Sequence, residues 1–395
     1  MNKQEFLDQY LVDRRKTNSM KWDTLKETYG TSDLISMWIA DTEFKPCKRV
    51  TEALVERALQ GPMGYSIAPD SYYEAFSNWM SSRYNFPIKK EWVRFSPGVV
   101  TGIALTINAF TKVDDACMIL TPVYYPFADV IKKNHRKLVE VDLNYDNGHF
   151  TMNYDAIEQA IISNNVKVFL QCSPHNPAGR IWTEEELDRV LGICQKHNVL
   201  VISDEIHQDL DLFGHKFVPS AVVNNGKYRN MLVTLNAGSK SFNLASLNHS
   251  HIIITDSKLR EHYDKTAHAL NRTEVDEMGV VATEAAYRYA GSWLKHVLEI
   301  VEDNYTYLKE EFAKKAPKIT VCDLEGTYLV MIDLSKYVPK EDIHSFTVNK
   351  CHLAVDYGEQ FGKNYLGFIR LNLATDPKLV KQAVANIIAA VNEQN

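Results

Sequence analysis

The chain has 395 residues, 45% hydrophobic and 24% charged, a composition that supports one large or two medium folded domains with a sizeable core. Its formal net charge of −6 and pI near 6.1 leave no basic footprint for nucleic acid or an anionic membrane. The opening segment lacks a signal-peptide core, no run approaches the roughly 18 apolar residues of a membrane span, and six scattered cysteines lack metal-ligand spacing, so the expected setting is the reducing cytoplasm.

From about residue 50 to 290, short apolar runs alternate with segments of helical period. Strands are predicted near Val93–Phe95, Cys117–Leu120, Leu138–Val141, Val166–Gln171, Leu200–Ser203, Leu232–Leu235 and Ile252–Ile254. Several are apolar on both alternating faces, as strands covered by helices on both sides must be. Between them, Thr183–Lys196 opens with a capping-box pair, Thr183 and Glu186, and lines Leu187, Val190, Leu191 and Cys194 along one side. The alternation predicts an α/β domain around a mostly parallel sheet. Beyond residue 290 a long amphipathic helix (Ser292–Lys315), two strand-like runs (Thr327–Leu334 and Phe368–Ala374) and a last helix (Pro377–Asn392) predict a smaller α+β unit. The expected division is a large domain over 49–290 and a small domain from 1–48 with 291–395. The segment before residue 50 has no core of its own and is expected to pack on the small unit or on a partner.

The unusual residues fall just past the C-terminal ends of predicted strands, the edge where open α/β sheets bind ligands. "VRFSPGVVTG" turns at Pro97 and Gly98 into an apolar helix. "MILTPVYYPF" places Tyr124 between two prolines, and "VFLQCSPHNPAG" places Asn176 in a turn. "VLVISDEIH" ends in Asp204 and Glu205, and "MLVTLNAGSKSFN" delivers Lys240. A lysine and an aspartate at the ends of two such strands are what pyridoxal phosphate requires, an amine for its aldehyde and a carboxylate for its ring nitrogen. On that reading Lys240 also serves as the base for the substrate α-proton, Asn176 donates to the ring oxygen, and Tyr124 stacks on the ring. The N–H groups of Val99, Val100 and Thr101 cradle the phosphate. Arg370, in "FIRLNLA", suits a bidentate clamp on a substrate carboxylate. Taken singly, each has an ordinary reading: a turn lysine, a helix-entry acid, a turn asparagine, a salt-bridge arginine, packing tyrosines. His207 and the His249/His251 pair read as supporting or surface residues, with nothing nearby to complete a metal site.

Together these motifs resemble the fold-type I pyridoxal-phosphate enzymes of the class I/II aminotransferase group, and within it the bacterial C–S lyases of the cystathionine β-lyase type. "SPHNPAG" is similar to the group's "NPTG" element, with Ala178 for threonine. "SDEIH", with His207 where many aminotransferases carry tyrosine, resembles the lyase branch. "GSKSFN", "GYS" at Gly64–Ser66, "GTYLVMIDL" and "MWIADTEF" at Met37–Phe44 extend the likeness over essentially the whole chain. The resemblance implies a PLP-dependent transferase-like large domain and β-elimination from cystathionine or cysteine S-conjugates to pyruvate, ammonia and a thiol. It also implies a homodimer in which Tyr65 reaches the other subunit's cofactor. It adds Ser239, Tyr65 and His207 to the cofactor side, and Ala40 and Tyr65 to the side of a small amino-acid substrate. Ala237 and Asn248 stand where the group often has a phosphate-binding serine and arginine, and "SLNHSHIII" departs from its small-residue pattern. The rival readings are an amino-acid aminotransferase and a cofactor-binding regulatory protein without turnover.

Overall fold

The computed structural model describes residues 1–271 and 275–393. Its central sheet has seven strands: β1 (Val93–Ser96), β2 (Ala116–Thr121), β3 (Lys137–Asp142), β4 (Val166–Cys172), β5 (Leu200–Asp204), β6 (Leu232–Asn236) and β7 (Ser250–Ile253). Their spatial order is β1-β7-β6-β5-β4-β2-β3. Strand β7 runs antiparallel to both neighbours, and every other pairing is parallel. Adjacent residues of the inner strands feed opposite layers. Ile119, Val168, Ile202 and Val233 belong to one apolar cluster, and Met118, Phe169, Val201 and Leu232 to the other. That is why these strands are apolar at both parities in sequence.

Helices α1 (Asp70–Tyr84), α2 (Val99–Phe110), α3 (Glu184–Lys196) and α4 (Glu277–Tyr289) belong to this unit. Helix α3 starts at the expected capping box, with Glu186 N–H bonded to the Thr183 hydroxyl and the Glu186 carboxylate returning to the Thr183 N–H. All six cysteines are buried and free.

The second unit contains α5 (Gly291–Lys315), β8 (Thr320–Val321), β9 (Leu329–Asp333), β10 (Asp356–Tyr357), β11 (Phe368–Asn372) and α6 (Pro377–Asn392). Its four strands form an antiparallel sheet in the order β8-β9-β11-β10. The run predicted from Thr327 becomes a strand only at Leu329, because Thr327 takes a φ of 70° and its hydroxyl accepts the Leu329 N–H. The N-terminal segment packs on this unit. Phe6, in the helix Lys3–Tyr10, lies between Trp293 of α5 and Phe44, and Ile35–Ser36 pairs in parallel with Leu353–Ala354. Among the described residues no helix is long and apolar enough to cross a membrane, and no cluster of His, Cys, Asp or Glu could hold a metal ion.

Candidate active site

Parallel pairing puts the ends of β4, β5 and β6 side by side, with Cys172 opposite Asp204 and Asp204 opposite Leu235. A cavity of about 300 Å³ opens there. Asp204 and Lys240 both line it, one from the last residue of β5 and the other from the short helical turn Gly238–Ser241 that follows β6. The turn is anchored from below. The Ser241 hydroxyl donates to Asp209 Oδ2 at 2.6 Å, and Trp79 Nε1 and the Tyr84 hydroxyl donate to the other oxygen of that buried carboxylate.

Lys240 Nζ donates to the Ala40 carbonyl at 2.7 Å. Burial pushes its pKa down to about 8, with Arg370 acting in the same sense and Asp41 and Asp204 opposing. Asp204 is buried. Its Oδ1 accepts the Ile206 N–H at 3.0 Å, and no described protein group donates to Oδ2. Burial lifts its carboxyl to about 7, so the ionised form calls for a cationic donor from the cavity. Of the acid pair, only Asp204 faces the cavity. Glu205 turns away to the Ser203 hydroxyl and the Ser220 N–H, both 2.9 Å from its Oε1.

Asn176 and Tyr124 form the next wall, joined by a 3.0 Å bond from the Tyr124 N–H to the Asn176 carbonyl. Asn176 Oδ1 accepts from Arg370 Nη1 at 3.0 Å, which leaves its Nδ2 as the donor. Burial raises the Tyr124 hydroxyl to about 12. At the opposite end, Gly98 takes a φ of 88°, a conformation that favours glycine, and turns the chain from β1 into α2. The first intrahelical bond is Gly102 N–H to Gly98 O, so the N–H groups of Val99, Val100 and Thr101 have no helical acceptor. These three residues line the cavity together with Ser239, Asn248 and His249.

His207 lines it too, buried, with its ring 6.1 Å from that of Tyr328 and Nδ1 unbonded. Burial, reinforced by Lys240 and Arg370, holds it neutral. Arg370, in the middle of β11, stands behind Asn176. Its Nη2 donates to the Trp38 carbonyl at 2.9 Å and to Asp356, while Nε is buried without a partner. Ala40 lines the cavity through the segment that crosses it.

Two expected residues do not line this cavity: Arg370, held behind Asn176, and Tyr65. Tyr65 is fully exposed, in a stretch where Met63 and Ile67 are exposed as well. The expectation that His249 and His251 could be surface residues is corrected: β7 lies between β1 and β6, and both rings are buried against Tyr72 and Phe95. Sequence reading assigned no site role to Asn248 or His249, although the odd "NHSH" pattern marked the place. Asp356, Asp209 and Tyr328 carried no signal, since each acts through a partner distant in the chain.

An amine, a buried carboxylate short of a cation, and a helix start with free N–H groups meet the aldehyde, ring nitrogen and phosphate of pyridoxal phosphate. The donor set fits that cofactor. Comparison with known proteins agrees. The profile of the aminotransferase class I and II family matches residues 33–387. The chain is 32% identical to cystathionine beta-lyase PatB of Bacillus subtilis (strain 168) over 381 residues, 96% of this chain and 98% of that protein. Among solved structures it is similar to cystalysin from Treponema denticola, which contains pyridoxal 5′-phosphate, with a TM-score of 0.93 and 30% identity over 97% of this chain and 98% of that one. It is likewise similar to the PLP-bound C–S lyase from Staphylococcus hominis, with a TM-score of 0.90 and 33% identity over 96% and 97% of the two chains.

Proposed function

The chain belongs to the aminotransferase class I and II family, a pyridoxal-phosphate enzyme by its site and its relatives, and from that premise we propose that it is a carbon–sulfur lyase acting on cystathionine or S-substituted cysteines. The products are pyruvate, ammonia and a thiol. The observation that carries the proposal is the placement of Lys240 and Asp204 around one cavity, in a chain that matches carbon–sulfur lyases along nearly its whole length.

When bound, pyridoxal phosphate supplies an electron sink for the charge left at the substrate α-carbon. Lys240 holds its aldehyde end, Asp204 its ring nitrogen, and Asn176 Nδ2 its ring oxygen. Tyr124 and His207 pack beside the ring, and the N–H groups of Val99, Val100 and Thr101, with Ser239, take the phosphate. Lys240 Nζ then removes the α-proton. A pKa of about 8 leaves part of the amine neutral near pH 7 and ready to accept it. The C–S bond breaks with its electron pair on sulfur, and the lysine proton is at hand to neutralise the departing thiolate. Arg370 binds the substrate carboxylate, a role supported by its unpaired, buried Nε. Ala40 borders the substrate on the side of the crossing segment.

The working unit is a homodimer in which Tyr65 completes the partner's cavity. The full exposure of Tyr65, beside exposed Met63 and Ile67, supports this. The large unit spans 49–290, with 1–48 and 291–395 forming the small one. The enzyme works in the cytoplasm, where six free cysteines stay reduced.

Incubating the holoenzyme with cystathionine, with and without a keto acid, tests the reaction. Pyruvate and free thiol are expected at equal rates in both. Amino transfer that requires the keto acid and outruns pyruvate release would make the enzyme an aminotransferase instead.

A further inference from the structure

The segment Asn248–His251 has no part in the reaction as described, yet it borders the cavity. In the β1–β7 register Ser250 pairs with Ser96 and His251 with Phe95, which sets His249 level with Pro97, directly before the Gly98 turn. His249 is 6% exposed, its ring stacks on Phe95 at 5.2 Å, and it lines the cavity beside Val99, Val100 and Thr101. Helix α4 approaches it so closely that a Cβ on Gly279 would lie 2.4 Å from His249 Cβ.

A buried chain of hydrogen bonds fixes which nitrogen of His249 carries its proton. Gln208 Nε2 lies 3.2 Å from Met80 Sδ, which can only accept, so Gln208 Oε1 is turned to Asn236 and accepts from its Nδ2 at 3.0 Å. Asn236 Oδ1 therefore accepts from His251 Nδ1 at 2.8 Å. The other nitrogen of neutral His251, Nε2, bears a lone pair and accepts the Tyr72 O–H. The Tyr72 oxygen in turn accepts from His249 Nε2–H at 2.7 Å. Neutral His249 is left with a lone pair on Nδ1, and no described protein group bonds that atom. Burial holds both imidazoles neutral in the free protein.

A lone pair is a poor neighbour for a dianion. Among the described residues the cavity is lined by no arginine and by no lysine except Lys240, which is committed to the aldehyde end. The charged groups near His249 are acidic: Asp276, whose Oδ1 caps α4 at the Gly279 N–H, and Glu284, which acts on Tyr72. Across Tyr72, His251 is neutral. A second cavity of about 240 Å³, lined by Phe95, Ser96, Pro97, Asn248, His249, Val275 and Asp276, lies against the same ring, and no lysine or arginine is among its described lining residues.

We propose that His249 is a binding residue for the cofactor phosphate and that the two share one proton, held between His249 Nδ1 and a phosphate oxygen. Above pH 7 the free phosphate ester is a dianion and free His249 is neutral, so binding takes one proton from solvent. That proton turns a repulsive contact into a charge-assisted hydrogen bond, while Nε2–H stays on Tyr72. The inference rests on the phosphate lying at the start of α2.

Phosphorus NMR of the holoenzyme between pH 6.5 and 9 tests it, with His249→Gln and Gly98→Ala as variants. The wild-type resonance is expected to lie away from the dianion position and to stay constant over the range. In His249→Gln it should move to the dianion position, and cofactor loss at pH 8 should rise roughly tenfold to a hundredfold, as expected for a lost hydrogen bond to a charged group. A resonance that responds to Gly98→Ala but is identical in wild type and His249→Gln overturns the role of His249 alone. One that responds to neither overturns the phosphate placement as well. If His249→Gln does not fold, the wild type decides. A resonance that titrates to the full dianion by pH 8, with a lone-pair nitrogen shift at His249 Nδ1, refutes the shared proton, and a protonated Nδ1 supports it.

Discussion

Asp204→Asn, studied in the cofactor-free chain, separates the cost of this carboxylate from its use. Burial lifts the Asp204 carboxyl from 3.8 to about 7. Between those values the folded chain binds more protons than the unfolded chain, so the carboxylate lowers stability progressively as pH rises through this range, and the loss levels off above 7. The full rise corresponds to about 4 kcal/mol, of which roughly 2–3 kcal/mol falls between pH 5 and 8. Asparagine keeps an acceptor for the Ile206 N–H and cannot ionise. Urea unfolding of both cofactor-free proteins should therefore show the stability difference moving in favour of Asp204→Asn by that amount from pH 5 to 8. Glu205, also lifted by burial to about 7, titrates in both proteins and largely cancels. With cofactor bound the order should reverse, because the charge then has its partner and Asn does not. A stability difference that stays flat from pH 5 to 8, or cofactor binding that stabilises both proteins equally, would refute the reasoning.

Borohydride reduction of the holoenzyme should fix the cofactor mass on the peptide containing Lys240, and label on another lysine would reassign the attachment. Lys240→Ala should lose turnover by at least roughly a hundredfold to ten-thousandfold, the usual worth of a positioned base, while keeping its fold. Arg370→Ala should weaken substrate binding by roughly 2–5 kcal/mol, as loss of one partner from a buried charge pair does, and should leave the absorbance of the bound cofactor unchanged. A collapsed spectrum would make the arginine structural, acting through Asn176 and Asp356. Mixing Lys240→Ala with Tyr65→Ala chains should restore activity to about a quarter of the sites, since half the random dimers carry one intact site. No recovery on mixing counts against the shared cavity.

The sheet was legible because its inner strands are buried on both faces and so read as continuous apolar runs, and the seven predicted runs are the seven strands of the central sheet. Lys240, Asp204, Asn176 and the Gly98 turn were legible because each closes such a run. The arrangement of the strands was less so: nothing in "SHII" announces that β7 runs antiparallel, yet this is what brings His249 back beside Pro97. Arg370 could be picked out, but not its engagement with Asp356, Trp38 and Asn176, which joins residues far apart in the chain. Asp204 was chosen over Glu205 in sequence, but what turns the two apart was not legible there. The two differ only in which side of the strand end they face, and that is settled by the Ser203 and Ser220 groups waiting for Glu205.

The segment from Met37 to Phe44 forms no helix or strand, yet it connects much of the site. Its carbonyls face both working cations: Trp38 accepts from Arg370 and Ala40 from Lys240. The same Ala40 carbonyl takes the Tyr328 hydroxyl at 3.0 Å. The Asn243 side chain, three residues past the lysine, donates to the carbonyls of Thr42 and Phe44, and Asn372, two past Arg370, donates to those of Ile39 and Asp41. Behind the segment, fully buried Lys21 pairs with Glu43 at 2.9 Å, and Trp22 Nε1 binds the same carboxylate. Removing either Lys21 or Glu43 alone would leave an uncompensated buried charge and destabilise the fold here. Side-chain amides thus tie the segment to both the lysine loop and the arginine strand, bracing the two residues across the gap between the sheets that carry them.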